Sequence, residues 1–276
     1  MNRRHIKSTV VGILKFHHLY NDAFKLKKNR QIRVFLPSDY YENQNETYDV
    51  IYMLDAQNLF DEKAAYVYKE WKIDETIEGL KDKIKPQIVV GLDCSMDRMS
   101  EYLPHWTDEQ IEDFEPNSNI TWEFLINRVM PFIEKKYRVN KGREHTSFGG
   151  SSMGGLMAFE AILEHNDFFS KYYAFSPAFA LFRYGFTEMP GEMDNGDEVL
   201  DNILEEVKKS NLDFKLAITS GGQGYEAQYA PVVDKIQLEL SPLLKDNLLV
   251  LQDLSLCHDE NQWAKFFVNA YKFMNK

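Results

Sequence analysis

The sequence predicts an α/β fold, a mostly parallel central sheet with helices on both faces, and three observations predict it. Apolar runs of strand length alternate with longer runs of helical periodicity along nearly the whole chain. The run Tyr48 to Leu54 is almost entirely apolar, as suits a strand covered on both sides. The segment Phe148 to Phe159, FGGSSMGGLMAF, sets a serine between glycines where a strand would turn sharply into a helix. A chain of 276 residues with 44% hydrophobic content can build one extensive core, so 1–276 reads as a single domain.

Each element follows from local pattern. His17 and His18 fall in an expected edge strand, and Gln31 to Pro37 gives a short strand that stops at a proline. After the polar loop SDYYENQNET comes the strand Tyr48 to Leu54. Ile73 to Leu80 is helical in spacing with Asp74 as the expected cap, and Gln87 to Leu92 is a further apolar strand. Thr121 to Tyr137 is a longer helix that buries Phe124, Leu125, Val129, Phe132 and Ile133, with a bend expected at Pro131. A short strand leads into the glycine-rich turn, and Leu156, Phe159, Ile162 and Leu163 then recur at helical spacing. Beyond it lie strands at Lys171 to Phe175, Phe214 to Thr219 and Leu248 to Gln252, with helices at Pro231 to Leu240 and Asn261 to Asn275. The stretch Leu181 to Leu212 fits the alternation poorly; it reads either as a small cap over the pocket or as a solvated acidic loop and surface helix.

Composition excludes several classes of function. The net charge of −11 lacks the basic surface that phosphate backbones require, which argues against a nucleic-acid partner; the cluster Lys25, Lys27, Lys28 and Arg30 reads as a solvated turn. No run of about 18 apolar residues is present to span a membrane, and the N-terminal MNRRHIKSTVVGILKFHH lacks a small-residue cleavage site, so the protein reads as soluble and cytoplasmic. The two cysteines, Cys94 and Cys257, are too few for a disulfide framework and read as buried thiols. Asp259 and Glu260 have no second histidine at ligand spacing, so neither a metal nor a cofactor is expected, and these acids suit a helix N-terminus.

The glycine-rich turn contains Gly-x-Ser-x-Gly as Gly150, Ser151, Ser152, Met153 and Gly154. In such a turn the central serine sits on a strained strand-to-helix corner, which makes Ser152 the candidate nucleophile and Ser151 a bystander. The helix that follows would aim its positive end, with the free N–H of Met153, at an oxyanion forming beside Ser152. A serine hydroxyl needs a base in hydrogen-bond reach, and the base needs an orienting carboxylate. Where a serine sits on this kind of turn, the chain order is serine, acid, histidine, which leaves His165 and His258 among seven histidines. His165 ends the helix that starts at the serine and cannot reach back, whereas His258 follows a strand end, where loops of such sheets gather. His258 is the expected base. Glu226 is the only carboxylate in SGGQGYEAQY, the loop after the strand Phe214 to Thr219, and is the favoured acid. Asp234, inside the next expected helix, and Asp253, close before the histidine, remain the alternatives.

Further runs carry a resemblance. IYMLDAQNLFD at Ile51 to Asp61, EWKIDETI at Glu70 to Ile77, VVGLD at Val89 to Asp93, RMSEYLP at Arg98 to Pro104, the GGSSMGGLMA turn and CHDENQW at Cys257 to Trp263 together resemble the esterase D-like family of α/β-hydrolases. That family includes siderophore trilactone esterases, S-formylglutathione hydrolases, feruloyl and acetylxylan esterases and mycolyltransferases. The resemblance implies an α/β-hydrolase fold and a serine esterase with a small-molecule ester substrate. It also implies a second oxyanion donor, the backbone N–H of Gln57, beside that of Met153. The chain departs from the family at Ala56 and Cys257, where glycine is common. Acyl transfer on the same scaffold, or a binding module with an unreactive serine, is the alternative. Asp55 and Asn58 read as shaping the oxyanion loop, and Arg98 and Glu101 as a mutual pair in the scaffold. Tyr68, Trp106 and Phe182 are aromatic candidates for the pocket or the core. The sequence leaves oligomeric state and physiological substrate open.

Overall fold

The structure, a computed structural model, describes residues 7–24, 29–107, 114–181 and 196–276. An eight-stranded sheet runs through it: β1 (Ile13–Tyr20), β2 (Asn29–Leu36), β3 (Val50–Leu54), β4 (Ile88–Leu92), β5 (Thr146–Ser151), β6 (Lys171–Phe175), β7 (Lys215–Ser220) and β8 (Leu248–Gln252). The spatial order is β1-β2-β4-β3-β5-β6-β7-β8. The β1–β2 and β2–β4 pairs are antiparallel and every later pair is parallel, with Ile51 of β3 opposite both Val89 and Ser147. This is the mostly parallel sheet that the alternation of elements leads one to expect.

The period of two in β3 divides the core. Val50, Tyr52 and Leu54 face one side, packed with residues of α3 (Ser118–Phe124), α4 (Met130–Lys136) and α5 (Met153–Glu164). Ile51 and Met53 face the other, packed with Ile73 and Ile77 of α1 (Ile73–Leu80) and with Phe266, Phe267 and Tyr271 of a C-terminal helix, Glu260–Met274. Both faces are therefore dry, and each fully buried aliphatic side chain contributes roughly 1.5–3 kcal/mol relative to exposure. The edge strands β1 and β8 are only partly buried, which matches the mixed composition of β1 but not the apolar run of β8.

Several local expectations are corrected. Asp74 does not cap α1: Lys72 is the N-cap residue and makes no side-chain cap bond, while the Asp74 carboxylate is fully buried and accepts from the Val11 N–H at 2.7 Å. The helix expected over 121–137 is two α-segments joined by a π-turn at Leu125–Val129, which lies directly before Pro131 and takes up its missing N–H. Phe132 is only half-buried, although Phe124, Leu125, Val129 and Ile133 are fully so. Arg98 and Glu101, at the two ends of the four-residue α2 (Arg98–Glu101), do not pair with each other. Glu101 forms a buried bidentate pair with Arg30, and Arg98 pairs with Asp55. Cys94 is half-buried and Cys257 exposed, so the expectation of two buried thiols fails for Cys257.

The last helices are α6 (Gly196–Lys209), α7 (Glu226–Leu244) and α8 (Glu260–Met274). Of the expected cap, residues 182–195, including Phe182, lie outside the described residues, as do Lys25, Lys27 and Lys28 of the basic cluster. Helix α6 buries Leu200, Ile203, Leu204 and Val207 in the core on the α5 side, and its Lys208 pairs with Glu239 of α7. It is thus a docked amphipathic helix of the body.

Candidate active site

The carboxyl ends of β3, β5, β7 and β8 carry the candidate residues. Ser152 follows β5 directly, with φ 57° and ψ −118°, a region that L-residues rarely occupy. The strained corner is held on both sides of the peptide. The Ser152 N–H donates to the Phe175 carbonyl of β6 at 2.9 Å, and its own carbonyl accepts from Gly155 and Ala178 at 2.9 and 3.1 Å. Close packing explains Gly155 but not Gly154. A Cβ on Gly155 would lie 2.8 Å from the Pro177 Cα, whereas one on Gly154 would meet nothing nearer than 3.5 Å.

Glu226 is the first residue of α7 and not, as expected, part of the loop before it. Its position nonetheless depends on that loop. Gly222 and Gln223 donate backbone bonds to the Leu256 carbonyl, both at 3.0 Å, and Gln223 bridges to Cys257. This ladder ties the acid-bearing loop to the histidine-bearing loop. Gly221 makes the approach possible, since a Cβ there would sit 2.3 Å from the Leu256 oxygen. The His258 Nδ1 and Glu226 Oε1 are 2.8 Å apart. Gln262 Nε2 donates to the same oxygen at 2.8 Å and the Gly221 N–H to the other, also at 2.8 Å. Burial would push the Glu226 carboxyl up, but its hydrogen bonds to His258, Ser176 and Gly221, with the histidine charge, hold it below the usual glutamate range. It is therefore an ionised acceptor, and Nδ1 carries the proton of the shared bond.

Aromatic rings hold the imidazole from two sides. Tyr229, one turn along α7 from Glu226, lies tilted against the ring at 5.0 Å, and Trp263 meets it edge-on at 5.1 Å. Burial pushes the Tyr229 phenol well above its ordinary range, and its hydroxyl reaches toward Ser152. Ser176, at the end of β6, accepts from Gln262 and from the Trp263 indole at 2.8 and 3.1 Å. Sequence reasoning missed Tyr229, Ser176, Gln262 and Trp263. The spacing of Glu226 and Tyr229 on one helix face was the available signal for Tyr229; Ser176 has none of its own.

Gln57 lies on the 3₁₀ turn Ala56–Asn58 after β3, and Met153 opens α5. Among the described residues, neither backbone N–H finds an acceptor in loops, caps or side chains. The Gln57 side chain bonds Cys94 on both sides, its Oε1 accepting from the Cys94 N–H at 3.2 Å, which steadies the turn. Asp55 takes φ 57° and receives Arg98 through Nε and Nη2 at 2.8 and 2.7 Å. Asn58 donates to Glu260 at 2.9 Å and accepts from the Tyr66 N–H at 2.9 Å. Asp55 and Asn58 thus shape the loop. Burial pushes the Cys94 thiol up to about 12, so it is no rival nucleophile at neutral pH.

The alternatives sit elsewhere. Burial pushes His165 down to about 4, and its ring lies tilted against Trp122 at 4.4 Å. Asp234 is exposed within α7, and Asp253 is bound by Lys265 at 2.6 Å. His17 bonds the Tyr137 hydroxyl at 2.6 Å on edge strand β1. Asp259 caps α8, accepting from the Asn261 and Gln262 N–H groups. Trp106 stacks on Phe179 against the core. A cavity of about 580 Å³ is lined by Gln57, Ser152 and His258 together with Tyr66, Arg98 and Trp263. Neither Tyr68 nor Trp106 lines it.

A strained serine between parallel strand and helix, lining one cavity with a histidine that bonds a carboxylate, together with this sheet order, defines the α/β-hydrolase class. Residues 24–231 match the model of the family described as "Putative esterase", and the chain belongs to that family. Ferri-bacillibactin esterase BesA of Bacillus subtilis (strain 168) is 26% identical over 165 residues, 55% of each chain. The chain spans about half the length of the curated relatives it matches. Among solved structures, an IroE-like serine hydrolase from Shewanella oneidensis superposes with TM-score 0.70 at 19% identity, covering 95% of this chain and 79% of that one. A ferulic acid esterase does so with TM-score 0.66 at 18% identity, covering 98% and 99%.

Proposed function

We propose that this chain is a serine carboxylic-ester hydrolase that works through an acyl-enzyme, with Ser152 as nucleophile, His258 as base and Glu226 as orienting acid. The observation that carries this reading is the 2.8 Å bond between His258 Nδ1 and Glu226, at the cavity that also holds Ser152 on its strained turn. With Nδ1 committed to the carboxylate, Nε2 is left to accept the serine proton. The Ser152 oxygen then bonds the ester carbonyl carbon, and the carbonyl pair moves onto oxygen, toward the N–H groups of Gln57 and Met153. Collapse expels the alcohol, which takes its proton from His258; water, deprotonated by the same nitrogen, repeats the sequence and frees the acid.

Relatives named for ferri-bacillibactin and for ferulic acid make siderophore esters and ferulate esters the first substrates to screen. The free thiols Cys94 and Cys257 fit a reducing, cytoplasmic setting, and the continuous sheet fits one catalytic domain. Ser152→Ala should retain the far-ultraviolet circular dichroism of the parent and lose turnover of short p-nitrophenyl esters by at least ~10³-fold. Parental turnover in a pure sample of the variant would reject the assignment. A fluorophosphonate probe separates an enzyme from a binding module, because only an activated serine is labelled.

A further inference from the structure

On the face of the sheet that packs α1, a second polar cluster lies outside the cavity just described. Glu70, Asp74 and Glu75 each bring a carboxylate oxygen within 4.8 Å of those of the other two. Glu70 is 2% exposed and Asp74 0%, and Glu75 is half-buried. One oxygen of each of the first two is engaged by the N-terminal segment: Glu70 Oε1 accepts from the Thr9 hydroxyl, and Asp74 Oδ2 from the Val11 N–H at 2.7 Å. The second oxygens are a separate matter. Glu70 Oε2, Asp74 Oδ1 and Glu75 Oε2 are all buried and find no N–H or hydroxyl donor among the described residues, while the Asp74 and Glu75 carboxyls lie against each other.

Three lysines, Lys69, Lys72 and Lys265, line the cavity beside them. Among the described residues none of the three carboxylates forms an ion pair with lysine or arginine, and the nearby Lys69 and Lys265 pair with Glu62 and Asp253. Burying a carboxylate without a partner is strongly unfavourable, and three at one point repel one another as well. We propose that Glu70, Asp74 and Glu75 form a binding site for a divalent cation, with Ca²⁺ as the preferred ion. A ligand set made only of carboxylates selects a hard cation, and Ca²⁺ accepts about six to eight oxygens in a flexible geometry, whereas Mg²⁺ demands a near-ideal octahedron and keeps most of its waters. A cavity of about 560 Å³, lined by Glu62, Glu70, Glu75, Thr76 and Asn261, opens beside the carboxylates and admits the waters that complete the shell. The ion would fasten the segment holding Thr9 and Val11 to α1, because the same two carboxylates grip both.

The test uses the full chain, stripped with EDTA and dialysed to equilibrium against radioactive calcium at neutral pH, with Tm measured in EDTA, CaCl₂ and MgCl₂. The expected result is one calcium ion per chain, a Tm raised by about 5 °C at saturating calcium, and a smaller rise with magnesium. Asp74→Asn should lose both the bound calcium and the calcium-dependent rise. If that variant does not fold, Glu75→Gln, altered at the half-buried position, should bind calcium at least ~10-fold more weakly, as the loss of one charged ligand implies. The proposal is overturned if the parent binds no calcium, if its Tm is the same in EDTA and calcium, or if the folded variants bind as well as the parent. An Asp74→Asn variant more stable than the parent in every buffer would assign shared protons to the cluster and overturn it too.

Discussion

At residue scale the account turns on how one carboxylate is kept charged. Glu226 is fully buried yet held below the ordinary glutamate range. For a carboxyl whose folded pKa is depressed, the stabilisation is complete above the unfolded value of about 4.3 and is lost as pH falls through the folded value. The His258–Glu226 pair should therefore remain intact from neutral pH down past the range where exposed glutamates protonate. Acid unfolding of Glu226→Gln should accordingly start from a lower stability at neutral pH and show a shallower dependence below about pH 4.3 than the parent. Guanidinium melts at several pH values measure this, and parallel curves for the two proteins would contradict it. In activity, Glu226→Gln should lower kcat by roughly 10²–10⁴-fold, because a wrongly held imidazole still leaves nucleophile and oxyanion donors in place. Asp234→Asn and Asp253→Asn should stay within about 2-fold of the parent, as expected of solvated surface charges.

Ser152 was legible as a candidate because it sits in a short pattern fixed by local geometry, and His258 because chain order and reach leave no other histidine. Glu226 was legible only by elimination, and its helical position was not, since the residues after it show no clear helical stripe until Pro231. Tyr229, Ser176 and Gln262 act through contacts between positions 29 to 86 residues apart, which no local window carries.

Among elements, the turn between β5 and α5 stores the strain and Gly155 after it sets the fit. Gly155→Ala should destabilise by ~1–3 kcal/mol, since its Cβ meets the Pro177 backbone and not a movable side-chain end. Gly154→Ala has room and should be neutral or stabilise by up to ~1 kcal/mol through helix propensity. Urea titrations of the two variants check both, and equal midpoints would refute the packing argument. The strand expectations survive at β6 and β8 without change and elsewhere shift by one to three residues at an end. The expected Arg98–Glu101 pair failed for a physical reason. A guanidinium finds its carboxylate by three-dimensional proximity, and Asp55 lies on the adjoining loop while Arg30 approaches Glu101 from β2. The cap expected at Asp74 failed likewise: burial against Val11 outweighed the N-terminal preference that spacing alone suggests.

For the whole molecule, the candidate residues are far apart in the chain and are gathered only when β3 and β5 through β8 are assembled in one sheet, so reactivity and global fold should vanish together. Fluorophosphonate labelling and far-ultraviolet circular dichroism should share one urea midpoint, and labelling lost well before the fold would point to a locally melting site. The net charge of −11 also has a consequence at this scale. Anionic esters should show a KM that falls as salt rises, while neutral esters should show little change. The division of the core between two sheet faces was readable from strand periodicity. The polar braces across the strand ends were not, because periodicity reports burial and not partners.

The most direct measurement is rapid-quench peptide mass spectrometry of the parent protein during turnover of a short p-nitrophenyl ester. The account expects one acyl group per chain, confined to the peptide that contains Ser152, built up within the first turnover and absent from His258→Ala on the same time scale. Turnover with no acylated peptide, or with the acyl group on another residue, would contradict it.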